Sequence, residues 1–118
     1  MKKAKFFWKS TCSTCRDARS FLRTDLGVEL DERDYAKDPL NEAELRALFG
    51  DAGLDPRDFL NPRSPAYKAM RLGDRKLTAP DAIGLMARDL NLIKRPLVIV
   101  GKTAVAGFDR DRLRAILT

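Results

Sequence analysis

With 118 residues, 44% of them hydrophobic and 34% charged, the chain is long enough for one packed core and too short for two independent domains. The longest aliphatic run is Leu97 to Val100, and Lys9 cuts off the apolar patch Phe6-Phe7-Trp8. Neither fits a membrane span or a secretory core, so a cytoplasmic protein away from membranes is expected. Histidine is absent and there are only two cysteines. The commonest general base is therefore missing, and one chain cannot supply four thiolates to a zinc or iron–sulfur site. No metal or organic cofactor is expected, which leaves thiols, carboxylates and guanidinium groups to carry the chemistry.

The net charge of +6 is uneven: residues 1–30 and 91–118 each carry +4, residues 61–90 carry +3, and residues 31–60 carry −5. Basic flanks around an acidic island could steer an anionic small molecule or peptide. The basic residues are interleaved with acids and lack any helix-turn-helix, finger or aromatic RNA-binding signature, so solvated helix faces explain them better than direct nucleic-acid contact.

Lys3 to Lys9 reads as a short strand, and the polar cluster Ser10 to Thr14 as the turn that opens a helix starting at Cys12. Ala18, Phe21 and Leu22 form its apolar stripe, and Gly27 sits where it should stop. Val28 to Tyr35 is a second strand whose many charges suggest an exposed or edge position rather than a central one. Asn41-Glu42-Ala43-Glu44 has the pattern of a capping box before Leu45, Leu48 and Phe49, in a helix ending near Gly50 or Gly53. Asp55-Pro56, Ser64-Pro65 and Thr78-Ala79-Pro80 each place a capping oxygen before a proline, predicting three further short helices up to about Leu90. Leu97–Val100 and Thr103–Ala106 flank Gly101-Lys102 as a hairpin, and Asp109 caps a last helix bearing Leu113, Ile116 and Leu117. This order predicts an α/β protein with a mixed four-stranded sheet and helices packed on its faces.

The chemistry centres on Cys12-Ser13-Thr14-Cys15. Two cysteines scattered at random would fall three apart in about one placement in sixty, so the spacing is informative. A C-x-x-C across a helix start sets both sulfurs on one side, the first at the end where unpaired N–H groups favour a thiolate. Cys12 is then the attacking sulfur, with Lys9 and Arg16 adding positive charge, and Cys15 the resolving one. Two plain core cysteines, or half of a zinc site shared across a dimer, are the alternatives; the Ser, Thr and Arg around the pair make a poor core. Arg95-Pro96, directly before an apolar strand, could present a turn to the thiols or be an ordinary strand entry with a solvated arginine. Arg63, beside Ser64-Pro65, is either an anion contact or a surface residue.

Three segments together carry a family resemblance: Cys12-Ser13-Thr14-Cys15-Arg16 after the first strand, Asn61-Pro62-Arg63-Ser64, and Arg95-Pro96-Leu97-Val98-Ile99 with Gly107-Phe108. From about Lys3 to Leu117 the chain resembles the arsenate reductase (ArsC) and Spx family. The resemblance implies a single thioredoxin-like domain over residues 1–118, with a helical subdomain inserted at roughly 38–90. It further implies that Cys12 is the nucleophile, that the Arg95–Pro96 bond is cis, and that Arg95 contacts a bound oxyanion. Arg16, Arg63, Arg95 and Pro96 make up the expected substrate-binding set. Glutaredoxin-linked arsenate reductases carry serine where Cys15 stands and hold the oxyanion with three arginines. Arg95 matches one of them, Arg63 lies beside the place of another, and the third falls on Gly107 or Phe108.

Two functions are therefore expected side by side. One is a monomeric thiol–disulfide oxidoreductase restored by a low-molecular-weight thiol, glutaredoxin or thioredoxin. The other is a regulator like the Spx branch, whose members use the disulfide as a redox switch and bind the carboxy-terminal domain of the RNA polymerase α subunit.

Overall fold

A computed structural model describes residues 2–118. In chain order its elements are β1 (Lys3–Trp8), α1 (Ser13–Ser20), β2 (Glu29–Asp34), α2 (Glu42–Ala52), α3 (Pro65–Ala69), α4 (Ala79–Arg88), β3 (Leu97–Val100), β4 (Thr103–Ala106) and α5 (Arg110–Leu117), joined by short 3₁₀ and π turns. The chain divides into two compact units: the segment up to Asp38 together with Arg95–Thr118, and Pro39–Lys94.

The first unit holds the sheet, ordered β2-β1-β3-β4. β1 and β2 are parallel, while β3 runs antiparallel to both β1 and β4. A parallel pair needs a crossover, and α1 supplies it. The two central strands are the apolar ones, with Phe6 and Phe7 in β1 and Leu97, Val98 and Ile99 in β3 all buried. The charged β2 takes the edge, where Glu32 accepts from Arg19 of α1 at 2.6 Å. Ala4, Phe6, Val98 and Val105 from the sheet pack with Ala18, Phe21 and Leu22, and with Leu113 and Leu117 of α5, as one core.

The expected stripe on the first helix is thus the buried one, but the helix is not regular to its end. After Ser20 the chain widens into a π turn over Phe21–Asp25, closed by the Leu26 N–H donating to the Phe21 carbonyl at 3.1 Å, and Gly27 (φ 64°) ends it. At the hairpin, Gly101 alone of the two turn residues has a positive φ (60°), the pattern of a II′ turn.

The second unit is helical, built on local signals. Asn41 Oδ1 accepts from the Glu44 N–H at 2.8 Å, and Glu44 Oε1 accepts from the Asn41 N–H at 3.2 Å, closing the capping box of α2. Thr78 and Asp81 form a second box at α4, and Asp55 caps a 3₁₀ turn at Pro56–Phe59. Ser64 departs from expectation. It makes no capping bond to α3; its side chain is buried, and Oγ has no hydrogen-bond partner among the described residues. Replacing Asn41 by alanine removes the side-chain bond to the Glu44 N–H while leaving a backbone N–H at position 41 for Glu44, and should cost about 1 kcal/mol in urea unfolding of the full chain. No helix among the described residues is long and apolar enough to cross a membrane.

Candidate active site

The parallel register brings the carboxyl ends of β1 and β2 to the same edge of the sheet, pairing Trp8 with Asp34. That edge is where open α/β sheets place their sites. The chain leaving β1 turns through Lys9–Thr11, with the Cys12 N–H donating to the Lys9 carbonyl at 3.0 Å. Two side chains hold this turn. Asp34 Oδ2 accepts from the Ser10 N–H at 3.3 Å, and Arg16 donates from Nη1 to the Ser10 carbonyl at 2.8 Å. The Ser10 hydroxyl, with the Ala36 and Ser10 N–H groups against a small burial cost, holds the Asp34 carboxyl below the usual carboxylate range.

Cys12 is the N-cap residue of α1 (φ −89°, ψ 118°), partly exposed; Cys15, in the first turn, is 0% exposed. Both are free thiols. Burial by itself pushes the Cys12 thiol up, but the Cys15 N–H, the Cys15 thiol and the Arg95 guanidinium together outweigh it, and the net shift is below the ordinary thiol value. The first-turn N–H of Cys15, one of the unpaired donors at the helix start, thus acts on the Cys12 sulfur. Cys15 goes the other way. Burial, reinforced by the neighbouring Cys12, pushes it to about 12, against smaller lowering from the Lys9 N–H and Arg95.

The expected site residues fall as follows. Cys12, Cys15 and Arg95 come together, with Arg95 acting electrostatically on both sulfurs. The Arg95–Pro96 bond is cis, and the Pro96 carbonyl accepts from the Gly107 N–H at 2.8 Å. Arg16 is exposed and braces the turn from one nitrogen. Arg63 belongs to the second unit, exposed, its backbone N–H held by Asn61 Oδ1 at 3.0 Å. The residue that sequence reasoning misses is Tyr35. It is 2% exposed at the end of β2, and faces Arg95 and both cysteines. Among the described residues no group of three or more His, Cys, Asp or Glu side chains is placed to hold a metal ion.

A βαβ unit running into a hairpin and a packed helix, with a cysteine at the start of the first helix and a cis-proline entering β3, is a thioredoxin-like fold. The ArsC family model matches residues 7–116, and the chain belongs to that family. It is 34% identical over 109 residues to YusI of Bacillus subtilis, covering 91% of this chain and 92% of that one. The global transcriptional regulator Spx of Streptococcus pyogenes is 28% identical over 112 residues, 95% of this chain and 83% of Spx. Among solved structures, an arsenate reductase from Vibrio cholerae superposes with a TM-score of 0.80 at 25% identity, covering 98% of each chain. An ArsC family related protein from Bacteroides fragilis reaches 0.78 at 29%, covering 98% of this chain and 99% of its own.

Proposed function

We propose that the protein is a thiol–disulfide oxidoreductase of the arsenate reductase-like kind, with Cys12 as nucleophile and Cys15 as resolving thiol. The supporting observation is the split between two sulfurs three residues apart: the partly exposed one is shifted toward thiolate, the buried one pushed to about 12. Such a pair has an order of action. The Cys12 thiolate attacks one sulfur of an oxidised disulfide substrate; a Cys12–substrate S–S bond forms, the substrate's own S–S bond breaks, and its other half leaves as thiolate. That adduct removes the charge at Cys12, which is one of the causes raising Cys15. Cys15 then gives up its proton, attacks the Cys12 sulfur and expels the second half as thiolate, leaving the Cys12–Cys15 disulfide. Two thiol equivalents from a low-molecular-weight thiol, glutaredoxin or thioredoxin return it to the dithiol, completing a two-electron cycle.

In this reading Arg95, beside Pro96, offers its guanidinium fork to an anionic group of the substrate, with Arg16 as a further anion contact. The protein acts as a cytoplasmic monomer. The Cys15→Ser variant tests the scheme. Incubated with oxidised glutathione, it should accumulate a mixed disulfide on Cys12, seen as a mass gain that dithiothreitol removes; an unmodified Cys12 would overturn it.

A second reading rests on the likeness to Spx across 95% of this chain: a redox-sensing regulator that binds the carboxy-terminal domain of the RNA polymerase α subunit. Redox-dependent capture of that domain without thiol turnover would favour the regulator. Turnover with glutathione and no capture would favour the enzyme.

A further inference from the structure

Neither cysteine spacing nor the Arg-Pro segment calls for Tyr35. It follows the last residue of β2, and its backbone N–H donates to the Trp8 carbonyl at 3.1 Å. Its side chain is enclosed, and the hydroxyl lies against the Arg95 guanidinium, which acts on it by charge and as a donor without completing a well-formed hydrogen bond. The titratable groups acting on it are Arg95, which enters β3, and Cys15 and Cys12 at the start of α1; those acting on Cys12 are Cys15 and Arg95. The nearest carboxylate in sequence, Asp34, is turned to the Ser10 and Ala36 N–H groups instead. A buried hydroxyl short of a well-formed bond costs stability, and phenylalanine would fill the same volume without that cost. Its place beside the reactive sulfur is a reason to keep it.

We propose that Tyr35 is a positioning residue for the Cys12 thiolate, acting through Arg95. This rests on the reading of Cys12 as nucleophile and names what aims the cation at it. A guanidinium is donor-only, whereas a phenol oxygen also accepts. The hydroxyl gives Arg95 a neutral anchor that leaves its charge for the sulfur, whereas a carboxylate in the same place would neutralise it.

The experiment follows iodoacetamide alkylation of Cys12 against pH, with the site assigned by peptide mass, in the reduced full-length chain and its Tyr35→Phe, Arg95→Met and doubly substituted forms. Thermal melts run alongside. Tyr35→Phe should melt no lower than the parent, yet move the alkylation midpoint upward, so that the rate at pH 6 falls by about threefold while the high-pH plateau stays. With Arg95 already replaced, it should change nothing further. A Tyr35→Phe profile that superimposes on the parent, or an effect undiminished without Arg95, would overturn the proposal. An ordinary thiol midpoint for Cys12 in the parent would instead sink the nucleophile reading beneath it.

Discussion

Replacing Cys12 by serine will abolish thiol–disulfide exchange, and replacing Arg95 by methionine will slow it most at and below neutral pH. A serine hydroxyl stays protonated near neutrality and cannot form the mixed disulfide, so no residual turnover is expected in a coupled glutathione assay. Arg95→Met removes a cation that favours the Cys12 thiolate, an effect that depends on pH, whereas the loss of an anion contact to substrate would not. Burial raises the Cys12 thiol, and Arg95 is one of the groups that reverse this; the Cys15 N–H and thiol remain. The thiolate fraction at pH 6 should therefore fall several-fold. The variant and parent rates should converge once the pH exceeds both midpoints. A uniform loss across all pH values would show that Arg95 serves substrate binding and not ionisation.

The parts of this molecule that are legible in sequence are those with short-range causes. The Asn41–Glu44 box, the Thr78 cap, the helix stop near Gly50 or Gly53 and the Gly101-Lys102 turn each rest on a few neighbouring residues whose chemistry is specific. The edge position of β2 is equally readable, because Glu29-Leu30-Asp31-Glu32-Arg33-Asp34 leaves too little apolar surface for a central strand. Ser64 shows how the same logic fails. Ser-Pro is a sound capping pattern, but burial turns the hydroxyl into an orphan and α3 begins uncapped. The π turn after Ser20 is likewise set by packing of Phe21 and Leu22 into the core and not by a local signal. Tyr35 escapes for a third reason. As the tail of a charged strand it looks like a boundary residue, and only the Trp8–Asp34 register brings it level with the Cys12 turn.

The three titrating groups at this site should together favour the folded, reduced protein most near pH 9 and progressively less above it. Each of the three groups at this site contributes with its own sign. Cys12 has a folded pKa below its unfolded value of 9.0, so its contribution is complete above pH 9 and is lost as pH falls through the folded value. Cys15 is raised from 9.0 to about 12. For an acid shifted upward, the folded state holds the proton longer, so stability is intact below pH 9 and drains away between 9 and 12. Tyr35, raised from 10.0 to about 12 by burial, adds a second loss between 10 and 12. Both losses act in the same direction, so the decline is steepest where the two windows overlap. Urea midpoints measured from pH 8 to 11 under reductant should therefore drop with a slope that steepens past pH 10. The Cys15→Ser chain should lack the loss that begins at pH 9, and Tyr35→Phe the steepening. A flat profile in the parent would mean that neither group is held protonated by the fold, and would remove the asymmetry on which the order of attack depends.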